Sequence, residues 1–473
     1  MPAAPKLATD NGISGGVSCA LRAEVKAIKK REISGKAFIR TPAIQQLRYA
    51  ACVGLCNTGV RMIWVPNDRE SREWSKTVPT LLFPNFRVVR GRFSDAVHAM
   101  KAISMVFFVL AGVLSAQTKQ DVQQAITRGL DFLISQQNKD SGHWVMTEDP
   151  ALSALVLSAL IQNPVGADTS DALKRGYDFL LQNVHPDGGI YTKARSNYNT
   201  AICLMALVLR ARPEDEEIIR RARNFGAHQQ NDADTPGKTD NPFDGGIGYG
   251  GAQQGAHADL SNTSFALEAL YYSKKLFEDT GKPVDKKDDL NWGAAIEFVS
   301  RCQNLKASND QPWAGVDKEN TGAFGYTPVP QAPRGSKKDG GPVPMRYYGS
   351  ISYAGMLSFI YAGLSPSDPR MVAALEWLGN NYTVEENPGM GAEGLFYYYH
   401  TMAKALATAG ITQLKTKSGS ANWTADLSRK LISLQNGDGS WANTASGRWM
   451  ESDPVLVTAY TVLALEQVHR AMK

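Results

Sequence analysis

From about residue 120 onward, two kinds of segment alternate along the chain. The first keeps one polar face: Lys174, Arg175 and Asp178 surround Tyr177, Phe179 and Leu180. Apolar positions three and four apart, with charges between them, predict amphipathic helices that show one face to water. The second kind is small or apolar on most faces: "ALSALVLSAL", "NTAICLMALVL", "SNTSFALEALYY", "SISYAGMLSFIYAGL", "YHTMAKALATAG" and "VLVTAYTVLAL". Such segments predict helices buried on several sides. The two kinds occur in order as six pairs, an outer helix followed by an inner one.

The outer segments end alike, in a Gln-Asn pair and a glycine-aromatic turn. The copies are "FLISQQNKDSGHW", "FLLQNVHPDGGIY", "FGAHQQND" with "DGGIGYGG", "FVSRCQN" with "GAFGY", the weaker "WLGNN" with "GLFYYY", and "LISLQNGDGSW". One hairpin cannot bury its own apolar face, whereas stacked neighbours can. The expected fold is therefore all-α, an (α/α)6 toroid of inner and outer helices. In the repeated element, the amide side chain is expected to satisfy carbonyls left open at the outer helix's end. The glycine supplies a positive-φ turn, and the aromatic packs across to the next repeat.

The formal net charge of +5 over 473 residues comes from the first part of the chain. Residues 1–99 carry 16 Lys+Arg against 7 Asp+Glu and show no sustained helical or strand period. Then "MKAISMVFFVLAGVLSA", residues 100–116, has the short basic start, apolar core and small-residue end of a secretory signal peptide. Its apolar run is short for a bilayer span. The expected organisation is a doubtful extension over 1–99 with translation starting at Met100, a signal peptide over 100–116, and a mature toroid over 117–473. The mature part would be exported, periplasmic or extracellular, with no transmembrane anchor. It is net acidic, 34 Lys+Arg against 39 Asp+Glu, which removes any charge argument for nucleic acid. Only Cys203 and Cys302 fall within it. They have no metal-ligand spacing and read as buried free thiols.

The layout resembles the terpenoid-cyclase and protein-prenyltransferase superfamily, and the repeated element resembles the QW motif of squalene–hopene cyclases. The best copies are Arg128, Phe132, Leu133, Gln136, Gly142 and Trp144, and Lys430, Leu434, Gln435, Gly439 and Trp441. The resemblance implies the toroid. It also implies a catalytic D-x-D-D-T motif in class II cyclases, but the nearest match is "DLSNT", where Ser261 and Asn262 replace two acids. Asp259 then reads as a helix cap, as do Asp149 and Asp453 before their prolines. Prenyltransferases hold zinc with Asp, Cys and His. Here "YYYHT" supplies His400, but Arg346 and Tyr348 stand near the other two places. No metal and no cofactor is expected, and His400 reads as a hydrogen-bonded histidine on the cavity wall.

The inner helices would start at one mouth, which collects a rim of tyrosines. The expected ligand-binding residues are Tyr198, Asn262, Tyr347, Tyr348, Tyr353, Tyr397 and Tyr398. His400, Asp259, Arg346 and Asp453 are the candidates for catalysis, if there is any. Tyrosines above an apolar channel suit an apolar or isoprenoid-like ligand, and a protein partner is the other expected occupant. The competing readings are an active cyclase or prenyltransferase with a rearranged site and a carbohydrate-active toroid using Arg346, with Lys337 and Lys338 nearby, as proton-abstracting base and cations. The Gly- and Pro-rich stretch 306–345 is expected to lid one mouth.

Overall fold

The computed structural model describes residues 117–145, 149–231, 241–250, 258–331 and 343–472 in full, and the backbone of 61–66 and 86–91. The chain divides into two units, Met1–Ser115 and Ala116–Lys473. In the first, strands β1 (Arg61–Pro66) and β2 (Phe86–Gly91) pair in parallel, with Arg61 opposite Phe86. The sequence showed no strand period there. The signal-peptide stretch 100–116 lies outside the described residues.

Among the described residues, the second unit is a ring of twelve α-helices. The outer ones are α1 (Lys119–Ser135), α3 (Ser170–Gln182), α5 (Glu216–Ala227), α7 (Trp292–Cys302), α9 (Pro369–Asn380) and α11 (Trp423–Ser433). Each is followed by an inner partner: α2 (Pro150–Ile161), α4 (Ser196–Arg210), α6 (Leu260–Asp279), α8 (Gly349–Tyr361), α10 (Leu395–Thr408) and α12 (Pro454–Ala471). Each inner helix packs on the next, and α12 returns to pack on both α2 and α1. The circuit is closed, so the fold is the all-α toroid. A short hairpin, β3 (Leu414–Thr416) with β4 (Gly419–Ala421), decorates the fifth repeat.

The Gln-Gly-aromatic element is the joint between repeats. In the last copy, Gln435 Nε2 donates to the Gly439 carbonyl of its own turn at 3.0 Å. It also donates to Ala125 O on α1, the first outer helix, at 3.0 Å, and its Oε1 accepts from Arg128. In the first copy, Gln137 Nε2 reaches Gly142 O and Ala172 O on α3, each at 2.9 Å, while Arg175 donates to its Oε1. Gln230 and Gln303 repeat the pattern, reaching Asn291 O and Arg370 O.

Two expectations are corrected here. The working glutamine of the first copy is Gln137; Gln136 is exposed and bonds only to neighbouring Ser135. Two adjacent glutamines look alike in sequence, and helix phase selects the one turned inward. The glutamine amide, moreover, serves the next outer helix, whereas the asparagine of the second copy meets the end of its own helix as expected, Asn183 Nδ2 donating to Phe179 O at 2.9 Å. The indoles of the first and last copies also reach a last-turn carbonyl: Trp144 Nε1 donates to Leu133 O and Trp441 Nε1 to Leu431 O, each at 2.7 Å. In the fifth copy Asn381 Nδ2 does this for Trp377 O, and Gly394, with φ +63°, both ends the turn and stands at the N-cap of α10.

The aromatics do cross to the next repeat, where a glycine makes room. A Cβ on Gly176 would lie 2.8 Å from the Trp144 ring, and one on Gly129 would lie 3.0 Å from Trp441. The turn glycines are equally constrained. Gly439 has φ +91°, and a Cβ there would meet Arg128 O at 2.4 Å. Cys203 and Cys302 are buried and unpaired, as expected. Among the described residues no helix is long and apolar enough to cross a membrane.

The closure joint can be tested against a control of equal backbone strain. Gly363 has φ +85° but nothing within 4 Å of a Cβ. Gly363→Ala should cost about 1 kcal/mol for the left-handed conformation alone. Gly439→Ala adds a clash with backbone and should cost at least about 3 kcal/mol. Urea unfolding of both variants measures the difference.

Candidate functional site

The site is the mouth at which the inner helices begin. Each N-terminus must find acceptors for its open N–H groups, and several are supplied by a side chain from a neighbouring repeat. Asn199 Oδ1 accepts from Ala151 N of α2 at 3.0 Å. Asn387 Oδ1 accepts from Ser350 N of α8 at 3.0 Å. Buried Glu451 accepts from Tyr397 N of α10 at 2.8 Å and from Asn443 at 2.7 Å. Burial pushes its carboxyl up, and these donors pull it back.

Asp259 caps α6 itself. Its carboxylate accepts from Asn262 N at 2.8 Å and from Asn262 Nδ2 at 2.7 Å, with the Tyr326 hydroxyl as a further donor. It is 2% exposed. Burial raises it to about 6, against the opposing pull of those hydrogen bonds. Asp453 caps α12 through Val455 N and Leu456 N, at 2.8 and 3.2 Å. Asp149 is the exception to the expected capping. It stands at the N-cap of α2 but makes no side-chain capping bond, because its carboxylate is turned to Arg195. Burial raises the Asp149 carboxyl despite that partner. Arg195 holds a left-handed backbone, φ +53°.

Below this rim, aromatic rings from four inner helices form a chain. Tyr249 lies 5.9 Å from Tyr198 on α4, which stands edge-on to Phe265 on α6 at 5.8 Å. Phe265 lies 6.2 Å from Tyr397 on α10, and Tyr397 lies 5.9 Å from Tyr460 on α12. Ser261 Oγ and the Tyr397 hydroxyl are 3.3 Å apart. His400 stacks on Tyr460 at 5.5 Å.

The axis is accessible. On helices otherwise buried, partial exposure recurs at helical spacing: Tyr198 and Met205 on α4, Ser261, Phe265 and Tyr272 on α6, and Tyr397 and Lys404 on α10. These positions share the face turned to the ring's axis. Among the described residues, the lumen they line is aromatic and apolar apart from Ser261 near the mouth and one ion pair. Lys404 Nζ donates to both oxygens of Glu268, at 2.9 and 2.8 Å.

The expected ligand-binding residues separate into two sets. Tyr198, Tyr348 and Tyr397 belong to the mouth, and Asn262 spends its backbone N–H and amide donors on Asp259. Tyr347 faces away, against Trp313 at 6.2 Å. Tyr353 packs on Tyr398 at 5.8 Å, and the Tyr398 hydroxyl donates to Thr383 O at 2.7 Å, so both sit in the wall. Arg346 is exposed, reaching only Gly389 O at 3.4 Å. His400 was expected to be hydrogen-bonded, yet its Nδ1 has no partner although the residue is buried. Burial and Lys404 push its imidazole well below the ordinary range, so it is neutral at pH 7. Among the described residues, no three His, Cys, Asp or Glu side chains come together as a metal site. In the 306–345 stretch, Asn304 anchors the first part through Asp317 O and Gly315 N; residues 332–342, with Lys337 and Lys338, lie outside the described residues.

Tyr249, Tyr326, Phe265, Tyr460, Glu268 and Lys404 were not singled out from sequence. The i, i+4, i+7 spacing of Ser261, Phe265 and Glu268, and of Tyr397, Thr401 and Lys404, is the signal that would have found the last two with Phe265.

No family model matches the sequence, and no curated protein matches it. Among solved structures, the type II terpene cyclase MstE from Scytonema is similar at 13% identity with a TM-score of 0.46, covering 75% of this chain and 100% of that one. An inactive variant of the alpha-1,6-mannanase GH76A of Salegentibacter sp. HEL1_6, in complex with alpha-1,6-mannotriose, gives 11% and 0.48, covering 74% and 100%. A protein from Actinoplanes gives 15% and 0.43, covering 73% and 99%. At this level of likeness no activity, substrate or site residue passes from them to this chain.

Asp259 gives the site a pH signature. Its folded pKa of about 6 lies above the unfolded value, so the native state keeps a proton that the unfolded chain has lost. Its contribution to stability therefore falls as pH rises from about 4 to about 6, and the cost is complete above that. Asn is also a good cap, and Asn262 can turn its unpartnered Oδ1 toward the new amide. Relative to Asp259→Asn, the wild type should lose about 2 kcal/mol between pH 4.5 and 7. Parallel curves of urea midpoint against pH would contradict the buried carboxyl.

Proposed function

We propose that the toroid binds an apolar, isoprenoid-like ligand in its lumen and does so after export, in the periplasm or outside the cell. The observation that carries the reading is the lumen face itself. Partial exposure there follows the helical period, and the exposed side chains are chiefly Tyr198, Met205, Phe265, Tyr272 and Tyr397. Aromatic faces and apolar stems give such a ligand burial worth about 25 cal/mol per Å². Export is supported by the signal-peptide pattern of residues 100–116.

Binding is favoured over cyclisation on chemical grounds. Protonating an alkene needs a neutral and strongly acidic carboxyl. Asp259 is raised to about 6, which makes it a weak acid, and its hydrogen bonds favour the charged form. Ser261 and Asn262 beside it carry no acidic proton. His400 is neutral with no metal-binding companions among the described residues, so a zinc-activated thiolate has no support either.

Native mass spectrometry of the full chain after exposure to a lipid extract tests the reading. Retained isoprenoid is the expected result. Ser261→Trp places a bulky ring in the lumen and should lower retention at least about tenfold, a loss of ~1.4 kcal/mol. A cyclised product, or retention unchanged in the variant, would count against simple lumen binding.

A further inference from the structure

The Glu268–Lys404 pair is chemically out of place in an apolar lumen. Glu268 on α6 and Lys404 on α10 lie on inner helices separated by α8, so the pair spans the lumen side of α8. Their side chains are only 11% and 18% exposed. Moving two charges out of water is costly, and an apolar pair of similar volume is often at least as stable. Stability alone therefore does not account for the pair.

Geometry indicates what the pair can still bind. An ammonium has three donors, and Lys404 uses two on the oxygens of one carboxylate. One N–H is left to point elsewhere, while the carboxylate retains unused lone pairs. One turn nearer the mouth on α10, His400 is 2% exposed with Nδ1 unpartnered, its ring stacked on lumen residue Tyr460. Lys404 and Glu268 thus offer a donor and an acceptor side by side, one turn below His400, and the pair is already charge-neutral. An anion would be attracted by Lys404 but would lie against the Glu268 carboxylate. A hydrocarbon would leave the third N–H of Lys404 and the remaining lone pairs of Glu268 without a partner. A hydroxyl can accept from Lys404 and donate to Glu268 at once.

Resting on the lumen-binding reading, we propose that the ligand is an uncharged, apolar molecule carrying a hydroxyl group, and that Lys404 and Glu268 bind that hydroxyl. Glu268 lies two turns below Ser261, roughly 10 Å along α6 at the helical rise. The hydroxyl end enters first, and the apolar body lies beside Phe265 and Tyr397 toward the mouth. Selectivity follows from the polar groups that a ligand without a hydroxyl leaves unpaired.

Three probes of matched skeleton test this with the full chain: farnesene, farnesol and farnesoic acid, each titrated by calorimetry. Farnesol should bind at least about tenfold more tightly than the hydrocarbon and the acid, a difference of ~1.4 kcal/mol. The double variant Glu268→Gln with Lys404→Met keeps net charge unchanged and should bring the alcohol-to-hydrocarbon ratio close to one, with the melting temperature recorded to establish folding. Should the double variant not fold, Lys404→Arg in the wild-type background should shift the ratio by moving the donors. Equal binding of farnesol and farnesene to the wild type, preference for the acid, or a ratio that survives in both variants would overturn the hydroxyl site while leaving lumen binding intact. Failure of all three probes to bind would remove the lumen reading as well.

Discussion

The structure depends on the joint that ties the last hairpin to the first. Gln435 links its own turn to Ala125 and Arg128 of α1, and Trp441 rests on Gly129. The same joint is used between earlier repeats, so closure needs no special contact. What closure adds is burial. Each inner helix is covered by two inner neighbours and by outer helices, and an open array would leave its terminal faces in water. On α4, α6 and α10 one face keeps partial exposure, and those faces turn to the axis.

That constraint explains where polar groups are found. The inner helices begin together, so several sets of open N–H groups are gathered into a small region. They are satisfied by Asn199, Asp259, Asn387, Glu451 and Asp453, most of which are buried. These acidic and amide groups hold helix ends, and most of their lone pairs are spent in doing so. Polar capacity is left at both levels: Asp149, Asn197 and Asn262 each keep an unpartnered oxygen at the mouth, as do His400 Nδ1 and Glu466 deeper. The reading of the lumen as a site for an uncharged apolar ligand rests on the aromatic face below the rim.

The pairing of outer and inner helices was legible because amphipathic and wholly apolar segments alternate with a glycine-aromatic turn between them. The partner of each side chain was not. In "QQN" nothing distinguishes Gln136 from Gln137, since only the phase of α1 turns one inward. In "FYYYH" successive residues advance about 100° around α10, so Tyr397 reaches the axis while Tyr398 and Tyr399 donate to Thr383 O and Val384 O in the wall. A run of tyrosines near a helix start cannot by itself reveal that phase. Asp149 and Asp453 precede prolines in the same way, yet only Asp453 caps, because Arg195 competes for Asp149. Glu268 and Lys404 were hidden for a related reason: single charges in an inner segment resemble a solvated edge until the ring brings them together.

The most direct test of closure is a distance between the first and last outer helices. Spin labels at Asp131 on α1 and Ser433 on α11, both exposed, can be placed in a background with the native cysteines replaced by alanine. Double electron–electron resonance should give one narrow distribution below about 25 Å, because packed helices lie ~10 Å apart and the labels add the rest. A broad distribution centred beyond about 40 Å would mean that the hairpins form an open superhelix, and the lumen would not exist as described.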